Sequence, residues 1–159
     1  MQIGIITPED NEALARIARY NLKKNSLDIP GTVYFDRDLD HLSDFYLAEG
    51  KKRYYFVLRD EDGRTLGGVG LAEFAPIAGC AELQKLYLAD EAKGAGWSYR
   101  LISLLEDKAR ELGYRQMYLE THTNLQVAIH VYEKCGYRQI ERPDGVMHAT
   151  MNRFYIKEL

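Results

Sequence analysis

The chain has 159 residues, 46% of them apolar, and a net charge of −3, which suits one domain, residues 1–159, built on one sizeable core. No basic block marks a nucleic-acid partner, and no apolar run approaches the roughly 20 residues of a membrane span. The start, MQIGIITPED, lacks the charged head and long apolar stretch of a signal peptide, so the chain reads as cytoplasmic.

Gln2 to Ile6 alternates as a first strand. Thr7-Pro8-Glu9-Asp10 reads as a helix start, with a capping side chain, proline at the first helical position and acids in the first turn. Leu14, Ile17, Ala18 and Leu22 give that helix its buried face. Ser26 to Asp38 contains Pro30-Gly31 and is a loop. Its Thr32-Val33-Tyr34-Phe35 is unusually aromatic. Two readings stand: a loop folded over the core, or a substrate-pocket wall carrying Tyr34 and Phe35. Leu39 to Leu47 reads as a second short helix.

Arg53 to Leu58 is a strand, and Asp60 to Arg64 turns it into a partner over Leu66 to Phe74. Gly67, Gly68 and Gly70 inside that partner mark close backbone approach or a bulge. Leu83, Leu86, Tyr87 and Leu88 make another, mostly apolar strand, broken by Ala89-Asp90-Glu91-Ala92. Leu101, Leu105, Ala109 and Leu112 then recur at helical spacing, and Gly113 stops the helix. Gln116 to Thr121 is the next strand. Asn124 is placed to cap a helix whose apolar face is Leu125, Ala128, Val131, Tyr132 and Cys135. Two last strands lie near Tyr137–Ile140 and Thr150–Ile156, joined by a turn at Pro143-Asp144-Gly145. Cys80 and Cys135 have no CxxC partner, so they read as reduced thiols and not as a disulfide or a zinc site. No metal is expected.

The segment Lys93-Gly94-Ala95-Gly96-Trp97-Ser98 lies between a strand and a helix. Glycines there allow close backbone approach, and the helix start offers unpaired N–H groups and a positive dipole end. That makes an anion site, most often for phosphate. A Walker loop would need a lysine before its final Ser/Thr, and none stands before Ser98. A dinucleotide fingerprint would need a third glycine where Tyr99 stands.

The loop instead resembles the acyl-CoA loop of the GNAT acetyltransferase superfamily, Arg/Gln-x-x-Gly-x-Gly/Ala, with Lys93 for Arg/Gln, Gly96 at the central glycine and Ser98 at the last small position. Lysine keeps the charge but loses the planar fork. Ala128-Ile129-His130-Val131-Tyr132-Glu133-Lys134-Cys135-Gly136-Tyr137 resembles the family's A-x-x-L-Y-E-K-x-G-F segment, and Ala81 to Leu88 resembles its central strand. The element order β-α-α-β-β-β-α-β-α-β-β is also that of the family. The resemblance implies a mixed α/β fold: a largely antiparallel sheet, splayed at the central strand and flanked by about four helices, with acetyl-CoA entering the splay.

It further implies roles. The Leu86-Tyr87-Leu88 backbone and residues 93–98 (Lys93, Gly94, Ala95, Gly96, Trp97, Ser98) would bind the cofactor, together with Asn124 and Tyr132. Leu86 N–H would serve the thioester oxygen as a single oxyanion donor. Glu82 would act as general base, directly or through water; Glu120 and His122 are rivals, and a strand-surface salt bridge to Lys85 is the plain alternative. Tyr132, whose phenol stays protonated at neutral pH, would give a proton to the departing thiolate. Glu82 and Glu120 would also meet the acceptor. Glu82 and Leu86 share a face if the strand is regular, and a bulge between them would alter that. Pro30-Gly31-Thr32-x-Tyr34-Phe35, Glu82-Leu83-Gln84-Lys85-x-Tyr87 and Tyr118-Leu119-Glu120-Thr121 look like a bacterial branch acting on small molecules, some of them amino acids. The expected activity is therefore direct acetyl transfer from acetyl-CoA to a small primary amine. A peptide amine, another acyl donor, a non-catalytic acyl-CoA sensor and a homodimer all stay open.

Overall fold

The computed structural model describes residues 1–159. Strand β1 (Gln2–Ile5) leads through a 3-10 turn (Pro8–Asp10) into α1 (Asn11–Lys24). The expected helix start is present, but with the roles reversed. Asp10 accepts from the Thr7 amide at 2.8 Å and from its hydroxyl at 3.1 Å, so the acid caps and the threonine donates. A 3-10 turn over Arg37–His41 runs into the short α2 (Leu42–Tyr46). Then come β2 (Tyr54–Arg59), β3 (Thr65–Glu73), β4 (Cys80–Leu88), α3 (Trp97–Glu111), β5 (Gln116–Thr121), α4 (Gln126–Lys134), β6 (Arg138–Ile140) and β7 (Arg153–Glu158). β6 and β7 are joined by the whole stretch 141–152, a longer connection than the turn at Pro143-Asp144-Gly145 suggests.

The strands form one seven-stranded sheet in the order β1-β2-β3-β4-β5-β7-β6. All neighbours are antiparallel except β4 and β5. That parallel pair is joined only from Cys80–Gln116 to Glu82–Tyr118. Beyond it β4 runs on to Leu88 and β5 to Thr121 with no pairing between them, so the sheet opens into a wedge.

Two apolar layers clamp the sheet. Leu101, Ile102, Leu105 and Ala109 of α3 and Val131 and Tyr132 of α4 pack on one face with Ala81, Leu83 and Leu88 of β4. Leu14, Ala15 and Ala18 of α1 pack on the other with Tyr46, Tyr55 and Val57. A fully buried leucine contributes about 1.5–3 kcal/mol, so such layers carry most of the stability. α4 ends on Gly136 (φ 89°), where Tyr137 N–H reaches back to Tyr132 C=O at 3.1 Å and locks the last turn.

β4 carries a bulge. Its register against β3 shifts between Gly68 and Gly70, and Lys85 takes a left-handed backbone (φ 52°). The buried Tyr55 hydroxyl donates to Lys85 C=O at 3.0 Å and holds the bulge from below. The extra residue reverses the alternation. Leu83 faces the α3/α4 layer, as do Leu86 and Leu88, whereas Tyr87 packs with α1 and α2. Glu82 and Leu86 therefore face opposite sides of β4, unlike in a regular strand.

Candidate active site

A cavity of about 570 Å³ fills the wedge. β4 contributes its wall from Glu82 to Leu88, β5 contributes Glu120 and Thr121, α4 and the turn before it contribute Asn124 and Tyr132, and α1 contributes Asn21 and Lys24. The wedge passes through the sheet, so residues from both faces of β4 reach one space.

At one end lies the glycine loop. Gly94 (φ 79°) and Gly96 (φ 78°) are both left-handed, and Gly96 is the residue before α3. A side chain at Gly96 would be strained there even though space is open around it. The amides from Gly94 to Tyr99 have no acceptor within the protein, the first being spent only at Arg100 N–H to Gly96 C=O. These donors and the helix dipole fit a phosphate-bearing ligand. Lys93 and Ser98 reach the cavity wall, whereas Gly94, Ala95, Gly96 and Trp97 lie outside it. Trp97 packs inward against the core under the Arg100 guanidinium. Lys93 Nζ is already engaged, with Asn21 at 2.7 Å and Asp90 at 2.6 Å. Asp90 also takes the Tyr20 hydroxyl and Lys24; hydrogen bonds from Lys93 foremost hold its carboxyl well below the usual range. Asn21 in turn donates to Leu88 C=O at 3.0 Å, tying α1 to the end of β4.

Further in, Glu82 accepts from Gln84 Nε2 at 2.7 Å, and Gln84 Oε1 accepts from the buried Tyr46 hydroxyl at 2.7 Å. The chain fixes the glutamate carboxyl in place. Burial pushes its pKa up, Gln84 opposes, and the Glu120 charge adds to the rise. No ion pair joins Glu82 to Lys85, so the strand-surface salt bridge is not formed. Tyr132 is buried against Tyr137, with ring centroids 6.1 Å apart, and lines the cavity. Its hydroxyl makes no hydrogen bond within the protein, and burial raises its pKa further above the ordinary phenol value. It is a protonated donor facing open space.

Glu120 carries a second cluster. His148 Nδ1 meets Glu120 Oε1 at 2.6 Å, and His148 Nε2 meets Asp36 Oδ1 at 3.0 Å and Oδ2 at 3.2 Å. Asp36 and Glu120 hold the imidazole charged, raising its pKa to about 10 against the cost of burial. This bridge joins the 141–152 connection to β5 and to the loop before α2, and His148 and Glu120 both line the cavity. His148 carries no spacing signal, because its partners lie far off in sequence. Gln84 was findable: two residues from Glu82 in a strand, it shares the face.

Other expected residues sit differently. Asn124 does not cap α4, whose first residue is Gln126; its side chain donates to Asn25 C=O at 2.9 Å, bridging to the end of α1, and lines the cavity. His122 accepts from Asn124 N–H at 3.1 Å and is outside the wall. In the 33–35 stretch a 3-10 turn points Val33 into the cavity, while Tyr34 and Phe35 lie outside it and Phe35 is 57% exposed. Three residues per turn send successive side chains about 120° apart, so one of the three faces the cavity.

Residues 20–137 match the model of the Acetyltransferase (GNAT) family. The N-acetyltransferase YjgM of Escherichia coli K12 is 34% identical over 141 residues, covering 86% of this chain and 81% of the relative. Among solved structures, a GNAT-family acetyltransferase of Staphylococcus aureus Mu50 superposes with a TM-score of 0.81 over 99% of this chain and 98% of its own, at 20% identity. A phosphinothricin acetyltransferase of Sinorhizobium meliloti, in complex with AcCoA, does so with a TM-score of 0.76, covering 99% of this chain and 88% of its own, also at 20% identity. The family match spans most of the sequence and the YjgM likeness extends it: this chain is an acetyltransferase of the GNAT family.

Proposed function

We propose that the protein transfers an acetyl group directly from acetyl-CoA to the primary amine of a small molecule, both substrates being bound together. The observation that carries this is that the half-buried Glu82 carboxyl and the Tyr132 phenol, which makes no hydrogen bond within the protein, line one cavity. The free amides of Gly94 to Tyr99 stand at one end of that cavity and would hold the pyrophosphate of the donor. The thioester supplies the activated acetyl group.

Glu82, directly or through a water, takes a proton from the acceptor ammonium, and its raised pKa suits it to do so near neutral pH. The freed nitrogen bonds to the acetyl carbon as the carbon–sulfur bond breaks. Leu86 N–H, from the part of β4 that runs on beyond its pairing with β5, would donate to the carbonyl oxygen as charge gathers there. Tyr132 gives its proton to the sulfur. The net change is one N–C bond made, one C–S bond broken and two protons lost from the ammonium nitrogen: one leaves through Glu82 to solvent, and the other replaces the proton that Tyr132 gives to the sulfur.

The test is release of free CoA thiol from acetyl-CoA against a panel of amino acids, polyamines and short peptides, with Tyr132→Phe alongside. Turnover with a small amine that falls roughly 10²-fold or more in the variant is the expected result. Saturable acetyl-CoA binding without turnover on any acceptor would instead favour a sensor. Undiminished turnover in the variant would confine Tyr132 to packing.

A further inference from the structure

Three lysines stand on the cavity wall, and two of them are spent. Lys24 and Lys93 both donate to Asp90 at the glycine-loop end. Lys85 is the exception. Its side chain is 13% exposed, yet its ammonium makes no hydrogen bond. The nearest carboxylate oxygen, Asp36 Oδ2, is 3.8 Å away, and both Asp36 oxygens are already taken by His148 Nε2. Lys85 is thus held only by a long ion pair to Asp36, and a largely buried ammonium whose donors make no hydrogen bond is costly and calls for an acceptor.

The backbone around it is costly as well. Lys85 is one of two non-glycine residues with positive φ, and the Tyr55 hydroxyl holds it there. Strain of this kind, of order 1–3 kcal/mol, persists where surrounding structure enforces it and concentrates at ligand sites. The bulge places Lys85 on the partition between the main cavity and an adjoining hollow of about 160 Å³, whose wall also holds Asp36, Arg37, Asp38, Leu42 and Phe45. On the amine side, Glu82 and Glu120 face the cavity. The carboxyl and the lysine are three residues apart on one strand, within roughly 10 Å between α-carbons. Both residues line the main cavity, so a small molecule bearing both charges can meet the two together.

We infer that Lys85 recognises the carboxylate of the acceptor, and that the acceptor is a small amino acid whose amine is presented to Glu82. This rests on the transferase reading given above. Lys85 would be a specificity residue: it pairs with the acceptor's anion and takes no part in the proton transfers.

The experiment is steady-state acetyl transfer to amino acids, each set beside its own carboxamide, for the wild type, Lys85→Gln and Lys85→Arg. The wild type should prefer the free acids by about 10-fold or more in kcat/KM, the worth of one charge-assisted hydrogen bond. Lys85→Gln should raise KM for the acids by about 10–100-fold while leaving the carboxamides and KM for acetyl-CoA within about twofold, so that the preference collapses. Lys85→Arg should restore part of it. Lys85→Asn, which tolerates left-handed backbone better, repeats the test against folding loss. Equal use of acids and carboxamides by the wild type, or an equal fall on both series in the variants, would overturn the inference and leave the transferase standing. No transfer to either series, despite acetyl-CoA binding, would overturn both.

Discussion

At the scale of single residues, the site works through groups whose protonation is set by what surrounds them. Glu82 is held by Gln84 and raised by burial. In its proposed role as base Glu82 must be deprotonated to act, so activity should fall as pH drops through that raised value. The acidic limb of kcat/KM should therefore lie above the ordinary carboxylate range and vanish in Glu82→Gln, with kcat roughly 10²–10³-fold lower. A pH–rate profile of both proteins reads this. His148 runs the other way. Its pKa in the folded state is near 10, above the unfolded value of 6.5. Its bridge between Asp36 and Glu120 thus stabilises fully below about pH 6.5, and that stability is lost as pH rises toward 10, where the folded imidazolium releases its proton. Urea unfolding at several pH values should show this decline in the wild type and a flatter curve in His148→Gln. Lys85 and Tyr132 share a quieter property: neither polar group makes a hydrogen bond within the protein, Lys85 having only a long ion pair to Asp36, and both residues line the wedge.

At the scale of elements, two irregularities shape the site. The bulge at Lys85 turns Leu86 away from the face that Glu82 occupies, and the early end of β4–β5 pairing opens the edge of β4. Neither shows in hydropathy, which records faces and not registers. At the entry to α1, Asp10 is 2% exposed and ties three elements together. It is paired with Arg59 of β2, accepts from the Thr65 hydroxyl of β3 at 2.6 Å and from Thr7 N–H. Burial works against its charge, but the hydrogen bonds from Arg59, Thr65 and Thr7 outweigh burial and lower its pKa. The stability it contributes is present above the unfolded carboxyl value of 3.8 and lost as pH falls through the lower folded value. Asp10→Asn should cost about 3 kcal/mol near neutral pH, because Arg59 is left unpaired, and the gap from wild type should narrow in acid. Denaturant melts at pH 7 and pH 3 check the sign.

At the scale of the whole molecule, the wedge divides the contacts between two layers, α1 with α2 and α3 with α4, and a donor bound between β4 and β5 would touch both. Coenzyme A at a hundredfold excess over its Kd should therefore stabilise the fold by about 2.7 kcal/mol. For a chain of this size that is roughly 5–10 °C in Tm by scanning calorimetry, and no shift would remove the loop as its binding site. The order of strands and helices, the glycine loop with its helix, and the segment around Tyr132 were legible in the sequence, because each is written locally: in periodicity, in turn residues, or in a contiguous motif. Chain-distant pairing was not legible. The Tyr46–Gln84–Glu82 chain, the His148 bridge to Asp36 and Glu120, and the tie from Asn124 to α1 each join residues whose separation leaves no pattern. Likewise a 3-10 turn chose Val33 over Tyr34 and Phe35 for the cavity wall, a choice made by backbone rotation and not by aromatic content. The sequence by itself determined the elements, their order and the glycine loop ahead of α3, since those depend on neighbours along the chain. Only the tertiary structure decided which side chains meet in the wedge, since burial, register and the bulge at Lys85 depend on neighbours in space.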